Sequence, residues 1–368
     1  MKAQPRIVIA GGGTGGHIIP ALAIADELKS ALGAEILFIG SPRGLESRLV
    51  PQAGYPLSLI EAGQLNNVSL LTKARTLLDL PLGVFKCRRL LRQFRPDAVV
   101  SVGGYASGPA MGAAILTGIP TLAFEPNAYP GLANRLVGRR VSAAAVNFAA
   151  ATKYFRNAQV TGVPVRKEFF HLQPRPADAP PHLLVFGGSQ GARALNTFMP
   201  QIAASLLVAV PGLTILHQAG ARHADAALAA YRASGAPQDR WQVYAFLDDM
   251  PKRFEAADLI LSRSGASTVA EHCAAGKPSL LVPFPLAADD HQRKNAEAMA
   301  ETGAAEMLLE KDLTAELLER TLLRLLTDRP ALARMSEQAR KLAHPDAAER
   351  IAAMVRLIIG QAQARAQK

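Results

Sequence analysis

The sequence predicts an α/β protein: two doubly wound, parallel-sheet domains facing each other across a cleft. Three observations carry this. Short apolar runs alternate with longer stretches whose apolar residues recur at helical spacing, as expected for strands covered by helices on both faces. Glycine-rich turns follow several of those runs directly. The order of strand, glycine turn and helix then starts afresh at Leu183, after the proline-rich interval Pro174 to Pro181. A length of 368 residues leaves room for two or three domains with ample cores.

Ile7-Val8-Ile9-Ala10 reads as a buried first strand. Gly11 to His17 is the turn into a helix that runs through Leu28. Such a turn aims bare backbone N–H groups and the positive end of a helix dipole at one spot, which suits a phosphate. His17 sets a titratable imidazole beside it. Gly11, Gly13 and Gly16 also satisfy the dinucleotide fingerprint G-x-G-x-x-G. A nicotinamide enzyme wants an acidic residue at the end of the second strand, however. Here Glu35 stands at that strand's start, and the strand ends in Gly40-Ser41-Pro42.

Further strands are expected at Leu57–Ile60, Ala98–Val102, Thr121–Phe124, Ala143–Asn147 and Gln159–Thr161. Between the third and fourth of the set, Lys73, Arg75, Lys86, Arg88, Arg89, Arg92 and Arg95 face one acid, Asp79. Pro81 is expected to open or kink a helix there. Val84, Cys87, Leu91 and Phe94 form its core stripe. Leu78, Leu82 and Phe85 lie on another face, near Arg88, Arg89 and Arg92. An apolar cluster beside bases fits an interfacial membrane contact, and a solvated basic helix fits the same residues. Gly103-Gly104-Tyr105 follows the fourth strand and Glu125-Pro126-Asn127 the fifth, at the end of the sheet where such folds bind ligands. Asn127 is either a sugar-hydroxyl ligand or a turn cap.

Thr161 to Arg166 forms the junction, and Arg166 is either a phosphate ligand or a surface cation. In the second half, Leu183–Phe186 reads as a strand and Gly187 to Arg193 as another glycine turn opening a helix. One ligand bridging both halves is more economical than two separate nucleotide domains. Asp248-Asp249 and Asp289-Asp290 look like metal ligands at first sight, but Asp248 is expected to cap a helix, so no metal is expected. Ser262 to Glu271 repeats the strand, small-residue and helix-start pattern. Glu271 would repel a diphosphate, so its expected partners are ribose hydroxyls, which donate to it. Asp290 to Asn295 offers groups suited to a sugar, and a last helix starts at Pro345 or Asp346.

Composition narrows the partners. The net charge of +11 favours phosphorylated substrates or an anionic membrane. Aromatic residues make up 5% and do not interleave with bases, which argues against nucleic acid. The two cysteines, Cys87 and Cys273, make neither a disulfide framework nor a metal cluster. No apolar run approaches the ~18 residues of a spanning helix, and Met1 to Arg6 lacks the features of a signal peptide, so a cytoplasmic location is expected.

With these residues in view, the sequence resembles the peptidoglycan glycosyltransferases that add N-acetylglucosamine to the lipid-linked muramoyl-pentapeptide, lipid I, to make lipid II. GGGTGGHIIPALAIADEL, GGYASGP, TGVPVR, GGSQGAR and SRSGASTVAE occur in the family's order over nearly the whole chain. Two departures are Pro126, where the family often has Gln, and Val163, where it often has Asn. The resemblance implies a GT-B glycosyltransferase fold. It implies an acceptor- and membrane-facing domain over 1–163, a UDP-N-acetylglucosamine-binding domain over 164–344, and a helix over 345–368 that returns to the first domain.

The resemblance also implies a donor site lined by Thr14, Gly15, Gly16, His17, Asn127, Arg166, Ser189, Leu247, Ala266, Ser267, Thr268, Val269, Ala270, Glu271 and Gln292. In it Leu247 offers backbone contacts to uracil, Glu271 takes the ribose, Ser189 meets the diphosphate and Gln292 reads the sugar. Thr14–His17 and Gly103-Gly104-Tyr105 approach the acceptor diphosphate. Leu78, Leu82, Phe85, Arg88, Arg89 and Arg92 touch the anionic inner leaflet, which makes the enzyme peripheral on the cytoplasmic face of the plasma membrane. The chemistry the resemblance implies is an inverting displacement without metal or cofactor, in which His17 is either the base or a residue that only positions substrate. The alternatives are another UDP-sugar enzyme of this fold (a lipid glycosyltransferase or an epimerase), a non-catalytic membrane scaffold, and a nicotinamide-dependent dehydrogenase.

Overall fold

The computed structural model describes residues 4–42, 44–60, 70–104, 106–176 and 178–367, with the side chains of 70–80 outside that set. The chain divides into two compact units, Met1–Pro164 with Asp346–Lys368, and Val165–Pro345.

The first unit runs β1 (Arg6–Ala10), α1 (Gly15–Leu32), β2 (Glu35–Gly40), α2 (Glu46–Gln52), β3 (Leu57–Leu59), α3 (Leu70–Phe94), β4 (Ala98–Ser101), α4 (Ser107–Leu116), β5 (Thr121–Glu125), α5 (Leu132–Val137), β6 (Ala143–Val146) and β7 (Ala158–Val160). Its seven strands are ordered β3-β2-β1-β4-β5-β6-β7 and every pairing is parallel. The second unit runs β8 (His182–Phe186), α6 (Arg193–Ala209), β9 (Thr214–Gln218), α7 (Ala224–Ala233), β10 (Trp241–Tyr244), α8 (Met250–Ala256), β11 (Leu259–Ser262), α9 (Ala266–Ala275), β12 (Ser279–Leu281), α10 (His291–Glu301), β13 (Ala305–Met307), α11 (Ala315–Thr327) and α12 (Arg329–Lys341). Its six strands are parallel in the order β10-β9-β8-β11-β12-β13. The final helix α13 (Ala347–Ala366) has Asp346 at its N-cap position.

The apolar runs form strands because both faces of each sheet are covered. Ile7, Val8 and Ile9 are all inaccessible to solvent, as a central parallel strand requires. Val8 and Ala10 face the cluster built with Cys87 and Leu91 of α3 and Ala110, Met111, Ala113 and Ala114 of α4. α13 packs on α1 and on β4, β5 and β6, so the last helix belongs to the core of the first unit.

Both sheets reverse their strand order once, between β1 and β4 and between β8 and β11. These reversals are the topological switch points at which open α/β sheets bind ligands, beyond the carboxyl ends of the strands. The registers Ala10↔Ser101 and Phe186↔Ser262 bring those ends level. The Gly11, Gly103, Gly187 and Ser262 motifs therefore all fall at the switch points.

Two local expectations are corrected. Pro81 lies inside one continuous helix rather than opening it. Burial of Cys87 and Leu91 against the core outweighs the single hydrogen bond that proline omits. Asp248 does not start α8: Asp249 takes the N-cap position without a capping bond and pairs with Arg253 at 2.9 Å.

Ile351 of α13 is fully buried. Ile351→Ala removes that packing, at about 2–5 kcal/mol. Hydrogen exchange read by mass spectrometry should show lost protection in α1 and β4–β6, with β8–β11 unchanged.

Candidate functional site

In the first unit the glycine loop uses its leading amides internally. Gly11 N–H donates to Ile39 O at 2.9 Å, Gly12 N–H to Gly103 O at 3.1 Å, and Gly13 N–H to Glu46 Oε2 at 2.6 Å. These amides are not the bare anion donors expected of a glycine turn, which also weakens the dinucleotide reading. The first turn of α1 follows, where the His17 N–H donates to the Thr14 carbonyl at 3.1 Å; Gly15, Gly16 and half-buried His17 lie behind exposed Thr14.

The loops after β1 and β4 interlock. A Cβ on Gly11 would stand 2.0 Å from the Gly103 carbonyl oxygen, and one on Gly104 2.2 Å from that of Gly12. Both glycines have positive φ, 134° and 85°. This contact sets the His17 ring against Gly103. His17 Nδ1 is 3.2 Å from the Gly12 carbonyl oxygen and 3.5 Å from Thr14 Oγ1. A carbonyl only accepts, so Nδ1 carries the proton and Nε2 is the basic nitrogen of the neutral ring. Tyr105 lies outside the described residues.

Two buried carboxylates hold these loops, and sequence reasoning gave neither a role. Glu46 is buried and accepts from Gly13 N–H, from Ser41 N–H at 2.9 Å and from Ser41 Oγ at 2.8 Å. Glu125 accepts from both the backbone and side-chain N–H of Asn127 at 3.0 Å, and from Gly131 N–H and Asn134 Nδ2 at 3.1 Å. Burial raises the Glu125 pKa, and the bonds from Asn127, Asn134 and Gly131 oppose the shift. Asn134 also accepts from Ser101 Oγ at 2.9 Å, and Ser101 Oγ accepts from Gly103 N–H at 3.3 Å. Asn127 thus donates inward, to the acid two residues before it. Glu125 was visible in the sequence as a strand-end acid, but nothing there marked it as the hub.

In the second unit the glycine turn after β8 leans on the end of β9. A Cβ on Gly191 would stand 1.8 Å from the Ala219 carbonyl oxygen. That carbonyl accepts from Asn196 Nδ2 at 2.8 Å. His217 donates through Nε2 to Asn196 Oδ1 at 3.1 Å, and its Nδ1 accepts from Tyr231 OH at 3.2 Å. Burial lowers the His217 pKa to about 3, so the ring stays neutral. Ser189 is exposed at the turn's tip. Leu247 is buried and its N–H donates to Gln218 Oε1 at 3.0 Å, so that backbone donor is already engaged.

Helix α9 starts without a side-chain cap. The Ser267 hydroxyl near its N-terminus is buried with no partner among the described residues. Val269 and Ala270 are buried, and the Val269 N–H bonds to Gly265 O at 2.9 Å. Val269 and Ala270 are thus apolar and buried, while Ser267, Thr268 and Glu271 are polar side chains of the same first turns. Burial raises the Glu271 pKa to about 7, and the facing Arg166 cation pulls it back down. The Arg166 guanidinium lies 5.1 Å from the Phe169 ring centre. Gln292 is tied in at two points: its Oε1 accepts from Phe284 N–H at 3.0 Å, and its backbone oxygen from Ser264 Oγ at 2.8 Å. Arg263, also overlooked, is buried and donates to the Val282 and Pro283 carbonyls at 3.0 and 3.1 Å, fixing the chain that leads to Phe284. Among the described residues no three His, Cys, Asp or Glu side chains are grouped to hold a metal.

Two parallel sheets with glycine-rich loops at their switch points form a doubly wound architecture, and the family models assign it to glycosyltransferase family 28. The N-terminal domain of glycosyltransferase family 28 matches residues 7–146, and its C-terminal domain matches 182–351. A Solibacter usitatus protein is 43% identical over 347 residues, 94% of each chain. A Geobacter protein is 43% identical over 357 residues, 95% of each. Both are named UDP-N-acetylglucosamine–N-acetylmuramyl-(pentapeptide) pyrophosphoryl-undecaprenol N-acetylglucosamine transferase. The crystal structure of Acinetobacter baumannii MurG matches with a TM-score of 0.80 and 32% identity, over 96% of this chain and 99% of that one. The chain belongs to this family of N-acetylglucosamine transferases.

Because the Glu271 pKa is raised in the folded chain, its protonated form stabilises the fold. That stability is fully present below the unfolded value near 4.5 and is lost as pH rises through about 7. Glu271→Gln should therefore match the wild type near pH 4 and exceed it by on the order of 2 kcal/mol at pH 8, measured by urea unfolding.

Proposed function

We propose that this chain transfers N-acetylglucosamine from UDP-N-acetylglucosamine to the 4-hydroxyl of the muramoyl-pentapeptide of lipid I, giving lipid II and UDP with inversion at the anomeric carbon. The observation that carries this is the relatives of that name, 43% identical over 94–95% of the chain. The ordered motifs agree with it, standing at the carboxyl ends of the strands.

In this reading the muramoyl hydroxyl attacks the anomeric carbon as the bond to the UDP oxygen breaks. His17 Nε2 takes the hydroxyl proton, and the Nδ1–H bond to Gly12 O steadies the imidazolium that forms. The negative charge leaving on UDP meets fixed donors: the first-turn amides of α9, the turn at Ser189 and the Arg166 cation. Glu271 accepts from the ribose hydroxyls, Gln292 reads the sugar, and the Leu247 carbonyl is left for the base. Thr14, Gly15, Gly16 and Asn127 complete the donor contacts. Gly103, Gly104 and Tyr105 serve the acceptor.

The membrane contact belongs to the same reading. Leu82 and Phe85 of α3 are 61% and 67% exposed, beside exposed Arg88, Arg89 and Arg92. Large apolar side chains next to cations suit the surface of an anionic leaflet. Leu78 lies on the same helix, its side chain outside the described set. No described helix is long and apolar enough to cross a membrane.

Radiolabelled transfer to a soluble lipid I analogue, without added metal, tests the reaction. His17→Ala should lower kcat by about 10²–10⁴-fold while UDP binding persists. A loss under tenfold would remove His17 as the base, and wild type that binds UDP yet transfers nothing would overturn the acceptor. Vesicle flotation tests the surface. Leu82→Asp with Phe85→Asp should abolish binding to vesicles rich in anionic lipid and leave transfer to the soluble analogue within about twofold.

A further inference from the structure

Gln218 closes β9 and is 3% exposed. Both ends of its side-chain amide are in use. Nε2 donates to the Gly188 carbonyl at 2.9 Å, and Oε1 accepts from the Leu247 N–H at 3.0 Å. Gly188 lies in the glycine turn after β8, and Leu247 in the loop after β10. Since β9 stands between β8 and β10 in the sheet, one side chain ties together the loops of both its neighbours.

We infer that Gln218 is a positioning residue for the donor nucleotide, fixing the distance between the turn that meets the diphosphate and the loop that meets the base. The inference rests on the donor-site reading proposed above. A carbonyl only accepts and an amide N–H only donates, so the bridging side chain must offer one donor and one acceptor at this reach. Glutamine does; an ionised glutamate lacks the donor, and methionine lacks both functions. The bridge is itself braced from behind. The next residue, Ala219, presents its carbonyl to Asn196 and lies against Gly191, and the preceding His217 is held by Asn196 and Tyr231. Gln218 is thus anchored to a stiff strand end while its amide reaches forward. Loops fixed before binding need not be ordered by the ligand, which raises affinity without adding a contact.

The test uses the full chain as wild type, Gln218→Met and Gln218→Glu. Dissociation constants for UDP and for uridine are measured by ligand-observed NMR, and KM values for donor and acceptor by transfer assay. Gln218→Met, close in volume and unable to bridge, should weaken UDP binding and raise the donor KM about tenfold or more, with the acceptor KM within twofold. Measured at about pH 9, where the carboxyl is ionised despite its burial, Gln218→Glu keeps the acceptor for Leu247 and turns a second, unprotonated oxygen toward the Gly188 carbonyl. It should hold uridine within about twofold of wild type and still weaken UDP tenfold. Wild-type UDP affinity in a folded Gln218→Met would overturn the inference, as would donor and acceptor KM values rising together with a fallen Tm. If Gln218→Met does not fold, Gln218→Glu decides, since uridine and UDP affinities that change alike would refute the bridge. Wild type without UDP affinity would instead overturn the donor-site reading itself.

Discussion

The contact on which most of the first unit's site depends is backbone against backbone. The loops leaving β1 and β4 meet so closely that Gly11 and Gly104 have no room for a Cβ. That approach spends the Gly12 amide on the Gly103 carbonyl and sets the His17 ring beside Gly103. The glycines therefore serve packing before they serve a ligand. The polar groups left to meet a substrate begin one turn later, at the start of α1.

Each unit backs its loops with buried polar groups that pair with one another. In the first, Glu46 holds Gly13 and Ser41, and Glu125 reaches Gly103 through Asn134 and Ser101. In the second, Tyr231, His217 and Asn196 fix the Ala219 carbonyl, and Gln218 joins the loops on either side. Buried polar groups are costly unless paired, so each network has one arrangement that satisfies all its members. That uniqueness is what holds flexible, glycine-rich segments in one shape.

Glu271 shows the opposing demand. Its burial disfavours the charged form, yet accepting ribose hydroxyls calls for a carboxylate, and Arg166 offsets part of the burial. A residue that costs stability at neutral pH for the binding role proposed for it is a familiar compromise of functional sites.

The sequence by itself determined the architecture and the family. Apolar strands at regular intervals and glycine turns directly after them are local patterns, and the ordered motifs extend over nearly the whole chain. It also offered His17, Arg166 and Glu271 as candidates, because titratable and charged side chains near turns and helix starts are visible without coordinates. Tertiary structure decided the rest. Glu46 and Gly13 lie 33 residues apart, and Gln218 and Leu247 lie 29 apart. No local period links such partners, so the sequence showed neither that the Gly13 and Leu247 amides are already engaged nor that Gln218 bridges two loops. Pro81 illustrates the same limit, since its local rule allowed it to open a helix and the structure instead carries it inside α3, which packs against the core. Side-chain type and spacing are written along the chain, whereas the pairing of buried donors with acceptors exists only once distant strands lie side by side.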